Sequence, residues 1–89
     1  MNRMVVLPAE GMLDSYETVS KNLAGVPYDL NYSSGLLTSV VYSNDIIKTF
    51  NRTGSKITSI VLSGATPGGI ALTKTLSYTG NNLTSVGYS

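Results

Sequence analysis

The chain has no cysteine, no histidine and no tryptophan, and only 12% of its 89 residues are charged. Without Cys or His, the usual zinc, haem and iron-sulfur options, disulfides, and Ser-His or Cys-His nucleophile pairs are excluded together. Six Lys and Arg against five Asp and Glu leave a net charge of +1, which offers no field for a phosphate backbone or an anionic membrane. Neither nucleic acid nor membrane is an expected partner. Long apolar runs are missing too: Met4 to Leu7 is four residues ended by Pro8, too short for a signal-peptide core or a membrane span. Export by a standard signal is therefore disfavoured, and the Asn-x-Ser/Thr sequons at Asn31, Asn51 and Asn82 carry little weight.

Acids are equally scarce. Glu10, Asp14, Glu17, Asp29 and Asp45 form no dyad in which two environments could separate two pKa values. Asp14 and Glu17 read instead as charge at a helix start. Gly64 to Gly69 has the glycine spacing of a phosphate loop, but Ile70 and Ala71 stand where Lys and Ser or Thr are required, so Thr66-Pro67-Gly68-Gly69 reads as a turn. The expectation is a chain that is not an enzyme and has no cofactor, no metal and no small-molecule substrate.

What is present is β-rich. Ser and Thr fill 22 positions and Asn seven, beside nine Gly and 42% apolar residues, more apolar content than a disordered chain carries. Thr, Val, Ile and Tyr suit pleated surfaces, while the helix formers Ala, Glu and Lys are few. A chain this short buries roughly 60–65% of its unfolded surface, so its core is thin. Charge this sparse is unusual for a dispersed monomer, and part of the exterior is expected to be covered.

One pattern occurs three times without a gap: LNYSSGLLTSV from Leu30, FNRTGSKITSI from Phe50 and LSYTGNNLTSV from Leu76. Lys48-Thr49 and Lys74-Thr75 precede the second and third copies, and Arg52 replaces the Tyr found at positions 32 and 78. The middle copy is thus expected to face something different. Ser34-Gly35, Gly54-Ser55 and Gly80-Asn81 share one column, and such pairs between alternating runs suit a two-residue hairpin turn, with a three- or four-residue loop as the alternative. The expected fold is all-β: an antiparallel meander of three hairpins, with six strands near 27–33, 36–43, 46–53, 56–63, 71–78 and 82–88. The Gly/Pro segment 63–69 joins the last hairpin to the others.

With strict alternation from a two-residue turn, one sheet face receives Tyr28, Leu30, Tyr32, Leu37, Val41, Phe50, Ile57, Val61, Leu76, Tyr78 and Leu83, the expected core. The other receives Val40, Tyr42, Ile47, Ile60, Leu62, Val86 and Tyr88 spaced by Thr. Both faces then look apolar, covered either by the N-terminal segment of the same chain or by a second copy or neighbouring protein. On the second reading the candidate interface residues are Tyr42, Ile47, Ile60, Leu62, Val86 and Tyr88, with Val5 and Leu7 from the N-terminal arm.

Residues 1–25 stand outside the repeat and form an arm expected to dock a neighbour, with residues 26–89 as the hairpin domain. Within the arm, Asp14 to Ala24 can be a helix with Asp14 as N-cap, Glu17 in the capping-box position and Gly25 just past the end. Tyr16, Val19 and Leu23 would form its apolar stripe. A seventh strand, or a segment that orders only against a partner, are the alternatives.

The phrases from Lys21 to Ser43, Ile46 to Gly64 and Leu72 to Ser89 resemble the repeated hairpin units of small tailed-bacteriophage virion proteins, in which Lys-Thr-Phe-x-Tyr-Thr-Gly-x-x-Leu-Thr-Ser-Val strings recur in tail and fibre components. The resemblance covers about three quarters of the chain. The strands share a weaker likeness with the Tyr-Asp repeats of Rhs-type shell proteins, but Tyr28-Asp29 is the single Tyr-Asp pair, and repeat length and the Gly-Arg element differ. The phage resemblance implies a non-enzymatic virion component at the tail, collar or fibre attachment, assembled in the host cytoplasm with homo-oligomeric and other virion structural partners. The alternative is a carbohydrate-binding adhesin module that uses exposed Tyr as stacking platforms.

Overall fold

The computed structural model describes residues 8–89, with side chains from Leu13 onward. A helix, α1 (Pro8–Asn22), precedes six strands: β1 (Tyr28–Ser33), β2 (Leu36–Tyr42), β3 (Ile46–Thr53), β4 (Lys56–Gly64), β5 (Leu72–Thr79) and β6 (Asn82–Tyr88). They pair in sequence order as one antiparallel meander. The strand boundaries agree with the repeat to within a residue or so, because each boundary is marked by a turn that the sequence spells out. Ser33 pairs with Leu36, Thr53 with Lys56 and Thr79 with Asn82, so each hairpin closes through two residues. Positive φ at Ser34 and Gly35, at Gly54 and at Gly80 supplies the twist that these tight turns require.

Each hairpin contains one extra residue on its second strand. Asn31 pairs with Ser39 but Tyr32 with Leu37, Asn51 with Ser59 but Arg52 with Ile57, and Ser77 with Ser85 but Tyr78 with Leu83. The residues left over are Thr38, Thr58 and Thr84, the Thr of each Thr-Ser pair. A β-bulge disturbs the local ladder, and here each bulged hydroxyl donates to a carbonyl opposite: Thr38 to Asn31 O at 3.1 Å, Thr58 to Asn51 O at 3.3 Å and Thr84 to Ser77 O at 3.2 Å. The following Ser39 and Ser59 accept from the amides of Asn31 and Asn51 at 3.1 and 3.0 Å. The repeated Thr-Ser is therefore a bulge with its own hydrogen bonds.

The bulge overturns the expected division of faces. Strict alternation carries Val41 and Val61 to the core face and Val40, Tyr42, Ile60, Leu62, Val86 and Tyr88 to the other. The extra residue reverses the parity of every position after it. Cross-strand partners share a face, so the pairs Leu30–Val40, Lys48–Leu62, Phe50–Ile60, Leu62–Leu72 and Leu76–Val86 gather the large side chains on one side. The opposite side takes Asn31, Ser39, Thr49, Asn51, Ser59, Thr73, Thr75 and Ser85, with Leu36, Val41, Ile47 and Val61 as its apolar members. One face is apolar and one largely polar, rather than both apolar.

α1 lies across the apolar face at the end remote from the hairpin turns. Tyr16, Val19 and Leu23 are buried against Ile46, Leu62 and Leu72, with Tyr42, Ile60 and Tyr88 packed around them. The three-and-four spacing of the expected stripe is the spacing that makes this contact. The helix starts earlier than its capping signal suggests: it opens on Pro8, whose fixed φ fits a first helical position, and Asp14 lies inside it rather than at its N-cap. Leu23, Ala24 and Val26 donate to Ser20, Lys21 and Leu23 carbonyls to close its end, and Gly25 turns the chain at φ +79°. Residues 13–23 thus pack on their own sheet, while Val5 and Leu7 lie outside the described residues.

Candidate assembly surface

A helix is about 10 Å across and so covers about three residues of strand length, whereas six- to nine-residue strands run for about 20–30 Å. One helix cannot cover this sheet. The protein is a slab of 49 × 37 × 19 Å with a radius of gyration of 14.4 Å, against about 12 Å expected for a compact chain of this length. The thin dimension is one sheet plus one helix. What the helix, packed on β4, β5 and β6, leaves bare is the hairpin-tip half of the apolar face and its β1 margin, where Tyr28 is exposed.

That half carries Leu30 at 46% exposure, Tyr32 at 61%, Leu83 at 52% and Val86 at 42%, around the half-buried Phe50, Ile57, Leu76 and Tyr78. Single exposed apolar side chains are ordinary; here Leu30 and Tyr32 on one edge strand and Leu83 and Val86 on the other flank half-buried apolar residues across one sheet face, the kind of surface that meets something. Of the expected interface residues, Val86 alone belongs to it. Leu62 is completely buried, and Tyr42, Ile60 and Tyr88 pack against the core cluster that Leu62 forms with α1, so these four are core or core margin. Ile47 is half-buried on the polar face. Alternation places Leu30, Tyr32 and Leu83 in the core. Their exposure follows from the limited reach of α1, which packs on β4, β5 and β6 at the end remote from the turns.

The tips are held in a second, side-chain register. Backbone pairing between neighbouring hairpins is confined to the helix end, Ser39–Val41 with Ile47–Thr49 and Ser59–Leu62 with Leu72–Thr75. Beyond the bulges, Arg52 reaches back to donate to Leu37 O and the Tyr78 hydroxyl donates to Ile57 O at 2.9 Å. Lys56 Nζ also bridges to Asn81 Oδ1 at 3.0 Å. Arg52 and Tyr78 occupy one repeat column, and Leu37 and Ile57 another. Arg52 does the work of the Tyr it replaces, so the middle hairpin does not differ in this respect.

Lys48 and Lys74 also repeat a geometry. Both emerge on the apolar face, and each ammonium lies 5.9 Å from a tyrosine ring centroid, Tyr42 and Tyr88 respectively, with the aliphatic stem along the surface and the charge near the ring. Tyr16 meets Tyr88 edge-on at 5.4 Å between centroids, and burial, with Tyr88 and Tyr42 nearby, pushes the Tyr16 hydroxyl up to about 12. The Thr66–Gly69 segment is a turn, as its residues imply: Pro67–Gly69 forms one 3-10 turn, and the buried Thr66 donates its hydroxyl to Ile70 O at 2.6 Å. Among the described residues no cluster of three or more acidic, His or Cys side chains could hold a metal ion, and no helix is long and apolar enough to cross a membrane.

No family model, characterised protein or solved structure matches the chain.

Proposed function

We propose that the chain is a non-enzymatic structural component of a tailed-phage virion, at the tail, collar or fibre attachment, and that it assembles through the half of its sheet that α1 leaves bare. The observation that carries this reading is the exposure of Leu30 and Tyr32 on one edge strand and of Leu83 and Val86 on the other, flanking the half-buried Phe50, Ile57, Leu76 and Tyr78 on one apolar face, in a chain with only 12% charged residues. Such a face is a liability on a free monomer and a contact surface in an assembly of many copies. The virion setting rests on the resemblance of the three hairpin strings to phage tail and fibre repeats.

Quantitative mass spectrometry of gradient-purified particles of the phage that encodes the chain tests the setting. The chain is expected in fixed proportion to the tail or collar proteins, and to be lost from particles carrying Leu83→Lys. Its absence from purified wild-type particles removes the virion reading.

A further inference from the structure

We propose that the two open edges of the sheet are complementary to each other, so that β6 of one copy pairs with β1 of a second, in the register that already joins hairpin to hairpin within the chain. The inference comes from what the repeat does internally and stands whether or not the virion setting holds.

Each hairpin offers its second strand to the first strand of the next. Val40 of β2 pairs with Lys48 of β3, and Ile60 of β4 with Lys74 of β5. Val86 of β6 occupies the column of Val40 and Ile60, and Tyr28 of β1 that of Lys48 and Lys74, but among the described residues no further strand lies beside either. The backbone is oriented for the missing step. Thr73 and Ser89 exchange both main-chain bonds at 2.9 Å, and Ser43 donates to Pro27 O at 2.9 Å. In an antiparallel ladder the next residue turns its N–H and C=O the other way. At Lys74 that direction leads to Ile60; at Tyr28 it leads to the open edge, where the residue is 59% exposed.

The side-chain register is incomplete at the same two edges. Arg52 and Tyr78 donate to the carbonyls of Leu37 and Ile57 in the preceding hairpin. Tyr32 is the donor in that column of the first hairpin and Leu83 the acceptor in that column of the last, and neither has a neighbouring hairpin. Setting Val86 opposite Tyr28 of a second copy brings Tyr32 of that copy to the Leu83 carbonyl. Nor do the edges carry the usual deterrents: β6 has no charged residue and no Pro, and β1 has Asp29 alone, on the polar face. The bulge on β6 is no obstacle, since β2 and β4 carry the same bulge and pair beyond it. This contact is head-to-tail, so repeated addition gives a ring where the rotation closes and a filament where it does not.

The register places Ser85 opposite Asp29 of the second copy, as Ser39 lies opposite Thr49. This is a non-hydrogen-bonded pair, with Cα atoms about 4.5 Å apart, within disulfide reach. The chain has no native cysteine, so Asp29→Cys and Ser85→Cys chains, mixed and mildly oxidised, are expected to give a cross-linked dimer, and neither alone. Asn31→Cys lies two residues further along the strand and is expected not to link to Ser85→Cys. Tyr28→Pro in the Asp29→Cys chain removes the outward N–H but no bond to β2, and abolishes the link; circular dichroism checks that the sheet remains. Self-linking of either single variant, equal linking from Asn31→Cys, or no linking in the mixture overturns the proposal. Linking by a chain absent from virions leaves it standing and removes only the setting.

Discussion

Deleting Thr58 is expected to be a mild change, although it removes a residue from the middle of a central strand. Asn51 pairs with Ser59 and Arg52 with Ile57. With Thr58 gone those pairs become consecutive, the ladder is regular, and every remaining side chain keeps its face. The losses are the Thr58 hydroxyl bond to Asn51 O, about 1 kcal/mol, and the local twist of the bulge, for a total of about 1–2 kcal/mol. Deleting Val61, three residues on, has no such escape. If Leu62 stays opposite Lys48, Ile60 moves to the polar face and Ser59 to the apolar one; if it does not, the completely buried Leu62 is expelled. Either way the cost is about 3 kcal/mol or more, a large share of the roughly 4–13 kcal/mol expected for 89 residues. Urea titrations followed by circular dichroism compare the two variants, and cross-strand NOEs between Asn51 and Ser59 report the register. If the Thr58 deletion is as damaging as the Val61 deletion, or if those NOEs vanish, the bulge account is wrong.

Gly64→Ala should be far more harmful than Gly25→Ala, although both glycines have positive φ, +85° and +79°. A Cβ at Gly64 would sit 2.2 Å from Asp45 O, whereas at Gly25 it meets nothing within 4 Å. The shared backbone penalty is about 1–2 kcal/mol; the clash adds to it, and melting curves should separate the variants by several degrees at roughly 4–8 °C per kcal/mol. Equal melting temperatures would discount the contact. Tyr16 sets an alkaline limit: its hydroxyl is raised from 10.0 to about 12, chiefly by burial and further by Tyr88 and Tyr42. Folding favours the neutral phenol, so its contribution is fully present below pH 10 and is lost as pH rises toward 12, by about 2–3 kcal/mol. Urea midpoints across that range should fall less steeply for Tyr16→Phe; parallel slopes would remove Tyr16 as the cause.

The strands were legible because three independent copies agree on where the turns lie, and each turn uses residues that tolerate positive φ. The helix was partly legible: Tyr16, Val19 and Leu23 show their stripe, but Asp14 and Glu17 imitate a start that lies further back, at Pro8. The faces were not legible. Period-two reasoning assumes that no residue is inserted, and Thr38, Thr58 and Thr84 are each inserted once per hairpin. The candidate surface inherited that error, which is why Leu62 stood among its residues; Leu30, Tyr32 and Leu83 lie on the expected face and are exposed because α1 does not reach them. The Thr-Ser repeat was the available signal, since a hydroxyl that satisfies a disturbed carbonyl suits a bulge.

The amino-acid order by itself determined the meander, its two-residue turns and its poverty of reactive chemistry, because these depend on local backbone preference and on which side chains exist at all. Only the tertiary structure decided which face is apolar and how much of it lies bare. Those outcomes depend on a one-residue offset repeated in three hairpins and on how far a single helix reaches over the sheet, and both are fixed by pairing and packing between segments distant in sequence.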